Sequence, residues 1–89
     1  MSEAFRKSPR VSKSYSEQGE IYFICRNYER QTAKTKERID ALIRHAGGDY
    51  APALKAYLTT DIGYQETCDK YYISQSTLDR IKRRFYESW

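Results

Sequence analysis

Apolar side chains recur at three- and four-residue steps along most of this chain. From Ser16 onward, Ile21, Ile24, Cys25, Tyr28, Thr32, Thr35, Ile39, Leu42, Ile43 and Ala46 keep that spacing, which is one face of an α-helix. The stripe predicts a helix over about residues 17–46. Ser16 is its expected cap, and Glu17 and Glu20 complement the positive end of the helix dipole. Gly47-Gly48 stops it, one glycine supplying a left-handed terminal conformation. Such a helix is about 45 Å long at the standard rise per residue. Its middle, Arg30 to Lys36, is polar on most sides. Either the helix breaks there and folds back, or the stripe packs on a second copy of the chain. The stripe is longer than the partner surface that residues 50–89 offer. That surplus favours the second copy, a homodimer through helix 17–46.

Asp49 is the expected cap of a second helix, with Pro52 tolerated in its first turn and Ala51, Leu54, Tyr57 and Leu58 on its apolar face. Thr59 to Gly63 reads as a loop. Tyr64 to Tyr71 predicts a short helix with Thr67, Cys68 and Tyr71 facing inward. Tyr72-Ile73 forms a tight turn, and Ser74 caps a last helix from Gln75 to about Glu87. The stripe of that helix is Leu78, Ile81, Phe85 and Trp89. No segment alternates long enough to predict a sheet. The expected fold class is all-α: a small helical domain over residues 16–89 with a C-terminal helix-turn-helix at about 64–87. Residues 1–15, with Arg6, Lys7, Arg10 and Lys13 and no apolar periodicity, are expected to form a basic flexible arm.

Composition narrows the chemistry. A chain of 89 residues is one domain and buries too little for a deep pocket. Sixteen Lys and Arg against twelve Asp and Glu leave a net charge of +4, which suits an anionic partner. Two cysteines and one histidine do not make a four-ligand zinc site or a disulfide framework. Cys25 and Cys68 are therefore expected as free thiols of a reducing, cytoplasmic protein. There is no apolar run of roughly 18 residues to span a membrane, and no secretory leader is expected near the N-terminus.

No catalytic constellation stands out, so the chain is read as a non-enzyme that needs no cofactor and no metal. No nucleophile signature surrounds Cys25 or His45. Glu66 and Asp69 read as solvated charges, and Gly47-Gly48 lacks the Gly-Lys-Ser/Thr of a phosphate loop. His45 reads as a structural cation at a helix end. The nine tyrosines read as core and rim, with Tyr64 and Tyr86 as candidates for contact with an anionic partner.

The last third carries the functional signal. Two helices that cross steeply need a small residue where they touch, which Cys68 supplies; Ile73 seals the corner, and Leu78 and Ile81 anchor the second helix. The opposite face holds Gln75, Ser76, Thr77, Asp79, Arg80, Lys82, Arg83 and Arg84. On a recognition helix the N-terminal residues approach base edges in the major groove and later basic residues meet phosphates. Gln75 suits adenine and Arg80 suits guanine; Ser76, Thr77, Lys82, Arg83 and Arg84 suit the backbone. Asp79 is expected to pair with Arg83 at i+4.

The run Tyr72-Ile73-Ser74-Gln75-Ser76-Thr77-Leu78-Asp79-Arg80 resembles the core of bacterial helix-turn-helix transcription factors and is similar to the region-four motif of sigma factors. The layout resembles small phage late-gene regulators of the ArpU and RinA type. Tyr72 stands where the turn of these families usually holds glycine. The resemblance implies a sequence-specific, double-stranded DNA-binding transcription regulator encoded by a phage or mobile element, with RNA polymerase as a further partner. Two alternatives share its features. One is a small terminase-like DNA-packaging subunit. The other is a protein-interaction module that docks on RNA polymerase or a sigma factor.

Overall fold

The computed structural model describes Ser8 and residues 11–89, whose regular structure is all helical, with no strand among them. Five α-helices follow one another: α1 (Tyr15–Arg26), α2 (Ala33–Gly47), α3 (Ala51–Thr59), α4 (Tyr64–Tyr71) and α5 (Gln75–Ser88). Short 3₁₀ turns at Tyr28–Arg30 and Gly48–Tyr50 link α1 to α2 and α2 to α3.

The apolar stripe of residues 17–46 is thus two helices, not one. The polar stretch between them supplies the caps. Asn27 closes α1, its side-chain amide donating to the Phe23 carbonyl at 2.9 Å. Gln31 donates to the Ile24 carbonyl at 3.2 Å, so amide side chains satisfy acceptors that a helix end leaves open. Thr32 caps α2 by accepting the Thr35 N–H at 3.2 Å. A continuous helix would also exceed the molecule, whose longest extent is 31 Å. The fold-back buries Ile21, Cys25, Ile39 and Ile43 within one chain and half-buries Ile24 and Leu42. The surplus stripe that argued for a homodimer through helix 17–46 is therefore absent.

α1 begins earlier than its periodicity implies. Ser14, not Ser16, is the cap, and it forms a reciprocal box with Glu17: the Glu17 N–H donates to Ser14 Oγ and the Ser14 N–H to Glu17 Oε1 at 3.0 Å. These hydrogen bonds to Ser14 hold the Glu17 carboxyl below its ordinary pKa. Residues expected in a flexible arm are partly docked. Val11 and Ser8 are buried, and the fully buried Gln18 amide binds the Ser8 backbone in both directions and also donates to the Lys13 carbonyl at 2.9 Å. Ser12 donates its N–H and hydroxyl to the Glu87 carboxylate of α5. Arg6, Lys7 and Arg10 lie outside the described residues.

Gly48 ends α2 with φ at 53°, a conformation that side chains with a Cβ rarely adopt. The turn that follows carries Asp49, but Asp49 does not cap α3; Tyr50 holds the cap position without a side-chain hydrogen bond. A 3₁₀ turn running straight into α3 supplies the first acceptors, the Ala51 N–H donating to the Gly48 carbonyl. Pro52 also removes one of the donors a cap would serve.

α2 packs on α5 and α3, and α3 packs in turn on α1 and α4. Leu54 and Leu58 of α3 meet Leu78, Ile81, Phe85 and Tyr86 of α5 in the shared core, where all six are buried. Each fully buried side chain of this size is worth about 1.5–3 kcal/mol. The outer edge is held by polar aromatic contacts. Tyr28 donates to Asp40 at 2.8 Å, and Lys55 pairs with Asp40 at 3.2 Å while lying over the Tyr28 ring. Arg38 of α2 stacks on Trp89 with its guanidinium 4.5 Å from the ring centre.

Candidate nucleic-acid interface

α4 and α5 carry the residues singled out above, and their limits follow from local chemistry. Gly63 precedes α4 with φ at 82°, and Thr67 is buried with its hydroxyl on the Gly63 carbonyl at 2.6 Å. α4 ends at Tyr72, whose backbone is left-handed at φ 54°, ψ 45°. The N–H groups of Tyr72 and Ile73 both donate to the Cys68 carbonyl. Ile73 turns inward and is buried, and Ser74 caps α5 by accepting the Thr77 N–H at 3.2 Å. Cys68 is buried where α4 meets the core. Desolvation raises its thiol pKa, helped by the carboxylates of Asp69 and Asp79. Burial alone pushes the Cys25 thiol up to about 12.

The predicted contact residues separate into three groups. Ser76, Arg80 and Arg84 are exposed and Arg83 is half-exposed. Steps of four, three and one place them on one face of α5, away from Leu78, Ile81 and Phe85. Arg80, Arg83 and Arg84 make no hydrogen bond or ion pair among the described residues. Three uncompensated guanidinium groups thus lie on one side of one helix.

Gln75, Thr77 and Asp79 form the second group, which is already engaged within the fold. Gln75 is exposed and donates to Gln65 of α4 at 2.8 Å. Thr77 is half-buried, its hydroxyl receiving the Ser74 hydroxyl at 2.8 Å. Asp79 does not pair with Arg83. It accepts from the Tyr64 hydroxyl at 2.9 Å, with the Gln75 carbonyl 3.0 Å from the same hydroxyl. Desolvation, and then this bond to a carboxylate, raise the Tyr64 pKa. Asp79 therefore ties α5 to the start of α4.

Lys82 stands alone. Its placement on the contact face is corrected by the structure: it is only 4% exposed, between the rings of Tyr57 and Tyr64, with Nζ 4.7 and 5.4 Å from their centres. Its ammonium also donates to the Tyr57 hydroxyl at 3.4 Å. Tyr86, a further candidate for DNA contact, is fully buried in the core.

One contributor was read differently from sequence. His45, in the last turn of α2, is exposed and lines an open cleft of about 460 Å³ with Arg80, Arg83, Arg84, Glu87 and Ser88 of α5. Arg44 precedes it, also exposed. The basic last turn of α2 was the available signal, but nothing local indicates that it packs beside α5. Glu87 is the only acid in the cleft, and its carboxylate is held by the Ser12 backbone and hydroxyl, which lower its pKa.

Among the described residues, no group of three or more His, Cys, Asp or Glu side chains is placed to hold a metal ion, and no helix is long and apolar enough to cross a membrane. Compared with known proteins, the chain matches no family model, no curated protein sequence and no solved structure.

Proposed function

We propose that this protein binds duplex DNA through α5 as a sequence-specific transcription regulator. In this reading α4 and α5 act as a helix-turn-helix, α5 enters the major groove, and no catalytic step or cofactor is required. The observation that carries it is the set of unpaired arginines at 80, 83 and 84 on one face of a helix whose other face is the core. Free guanidinium groups on a rigid helix suit phosphate oxygens and the O6/N7 edge of guanine. Arg80 is the base-reading candidate because it lies nearer the N-terminal end; Arg83 and Arg84 meet the backbone. Gln75 and Ser76 extend the contact toward the start of α5, and Thr77 and Asp79 hold that start in place. A single module of this kind buries about 600–1,000 Å² of protein surface. Useful selectivity then calls for a second contact, and RNA polymerase is the partner that a small cytoplasmic regulator from a phage or mobile element would have.

Binding of the full chain to a random-sequence duplex, followed across a salt series, tests the reading. Binding that weakens steeply with salt supports it, because phosphate contacts release counterions. Selection of bound sequences then separates a regulator, which enriches a motif, from a packaging subunit, which does not. A chain that leaves duplex free at low salt but binds RNA polymerase or a sigma factor would replace this reading with the protein-docking one.

A further inference from the structure

The cleft between α2 and α5 combines side chains from two helices that are far apart in sequence. His45 faces Arg80, Arg83, Arg84 and Glu87 of α5 across it. On its own helix the neighbouring charge is Arg44, and Asp49 follows in the next turn. α3, which packs against the same end of α2, brings one charged residue, Lys55, and that is paired with Asp40. The acid in the cleft, Glu87, is occupied by Ser12. The balance around the imidazole is cationic, which suits an anion.

We propose that this cleft is a phosphate subsite, in which His45, Arg83 and Arg84 hold the duplex backbone and duplex binding draws a proton onto His45. The proposal rests on the reading of α5 as a duplex-binding helix. A phosphate oxygen beside the Arg83 and Arg84 guanidinium groups is held by charge-assisted hydrogen bonds. An imidazole beside it gains by becoming cationic, because only then do both ring nitrogens donate and its charge oppose the phosphate's. Phosphodiesters do not titrate near neutrality, so the proton resides on the protein. Duplex affinity therefore rises as pH falls through the imidazole range.

Two measurements on the full chain test this. The first compares duplex binding at pH 6 and pH 8, at fixed ionic strength, for the parent and for His45→Gln. The parent is expected to bind roughly fivefold tighter at the lower pH, and His45→Gln to lose most of that ratio. The ratio, not the affinity, is the readout, and the α-amino group titrates equally in both proteins. The second follows the ring protons of His45 by NMR as pH is varied, in sodium sulfate and in sodium chloride of equal ionic strength. The chain has a single histidine, so the signals are unambiguous. Sulfate, a dianion over this whole range, is expected to move the His45 titration to higher pH. Duplex binding whose pH ratio survives in His45→Gln, with no response to sulfate, overturns the subsite and leaves the DNA reading standing. A sulfate response in a protein that binds no duplex keeps the anion site and removes the DNA reading.

Discussion

The ammonium of Lys82 lies 4.7 Å above the ring of Tyr57 and 3.4 Å from its hydroxyl. This contact joins α5 to α3 through a residue whose neighbours Arg83 and Arg84 point the other way. A lysine buried between Tyr57 and Tyr64 gains from ring quadrupoles and from packing of its methylenes, and it is held away from any ligand at the basic face.

Lys82 and the arginines should separate cleanly by mutation. Lys82→Ala is expected to lower stability by about 1–2 kcal/mol through lost packing and cation–π contact, while the salt slope of DNA binding stays at the parent value. Arg83→Ala and Arg84→Ala are expected to leave stability nearly unchanged and to lower that slope by about one each. Urea melts and binding isotherms over a salt series read both quantities. A Lys82→Ala protein that melts like the parent and loses a unit of slope would put this side chain on the contact face.

Tyr72 is the one non-glycine residue with positive φ among the described residues, and its side chain is 93% exposed. A left-handed backbone costs a residue with a Cβ about 1–2 kcal/mol, and no packing of the ring offsets it. Tyr72→Gly relieves this but adds chain entropy to the unfolded state. The net expectation is a gain of about 0.5–1 kcal/mol, with Tyr72→Val losing stability because a β-branched residue fits this region worst. Denaturant midpoints for the two variants should move in opposite directions.

Both thiols should be inert in the folded protein. Burial raises Cys25 to about 12 and raises Cys68 as well, so neither carries much thiolate at neutral pH. Labelling with a thiol reagent should proceed far more slowly in buffer than in denaturant. Cys68→Ala is expected to be mild. Cys68→Leu overfills the contact of α4 with the core and should cost about 1–3 kcal/mol. Labelling of Cys68 at the denatured rate would place it on the surface.

Glu87 links the N-terminal segment to α5, and the Ser12 hydrogen bonds lower its pKa in the folded state. A lowered carboxyl contributes its stabilisation above the unfolded value of 4.5 and loses it as pH falls through the folded value. The segment around Ser12 should therefore loosen below that value, while the core stays folded over the first part of the descent. Amide exchange of Ser12 as a function of pH reads this directly, after correction for intrinsic rates. Glu87→Gln should give loosened exchange already at neutral pH.

The ends of α4 and α5 were legible in the sequence because each is set by residues next to it. A serine cap accepts a donor three residues on, and the Tyr72 turn closes onto a carbonyl four residues back. The inward positions of Cys68, Ile73, Leu78, Ile81 and Phe85 follow from helical spacing and a sharp corner. The break between α1 and α2 was half legible. The polar stretch marked the place, but Asn27, Gln31 and Thr32 act as caps only once the chain has folded back. Asp49 looked like a cap and is not one, because a 3₁₀ turn had already supplied the acceptors.

Tertiary structure decided what depends on distant partners. Periodicity leaves Lys82 at the edge of the apolar stripe, and it is buried only because Tyr57 and Tyr64 arrive from α3 and α4 to receive its charge. Asp79 binds Tyr64 rather than Arg83 for the same reason, since the Tyr64 hydroxyl reaches it across the helix pair. Ser12 and Val11 dock because α5 ends with Glu87 beside them, 75 residues away in sequence. His45 joins the arginines because α2 lies along α5. Hydrogen bonds and cation–π contacts act over a few ångströms, and spacing along one helix does not say which other helix will come within that distance.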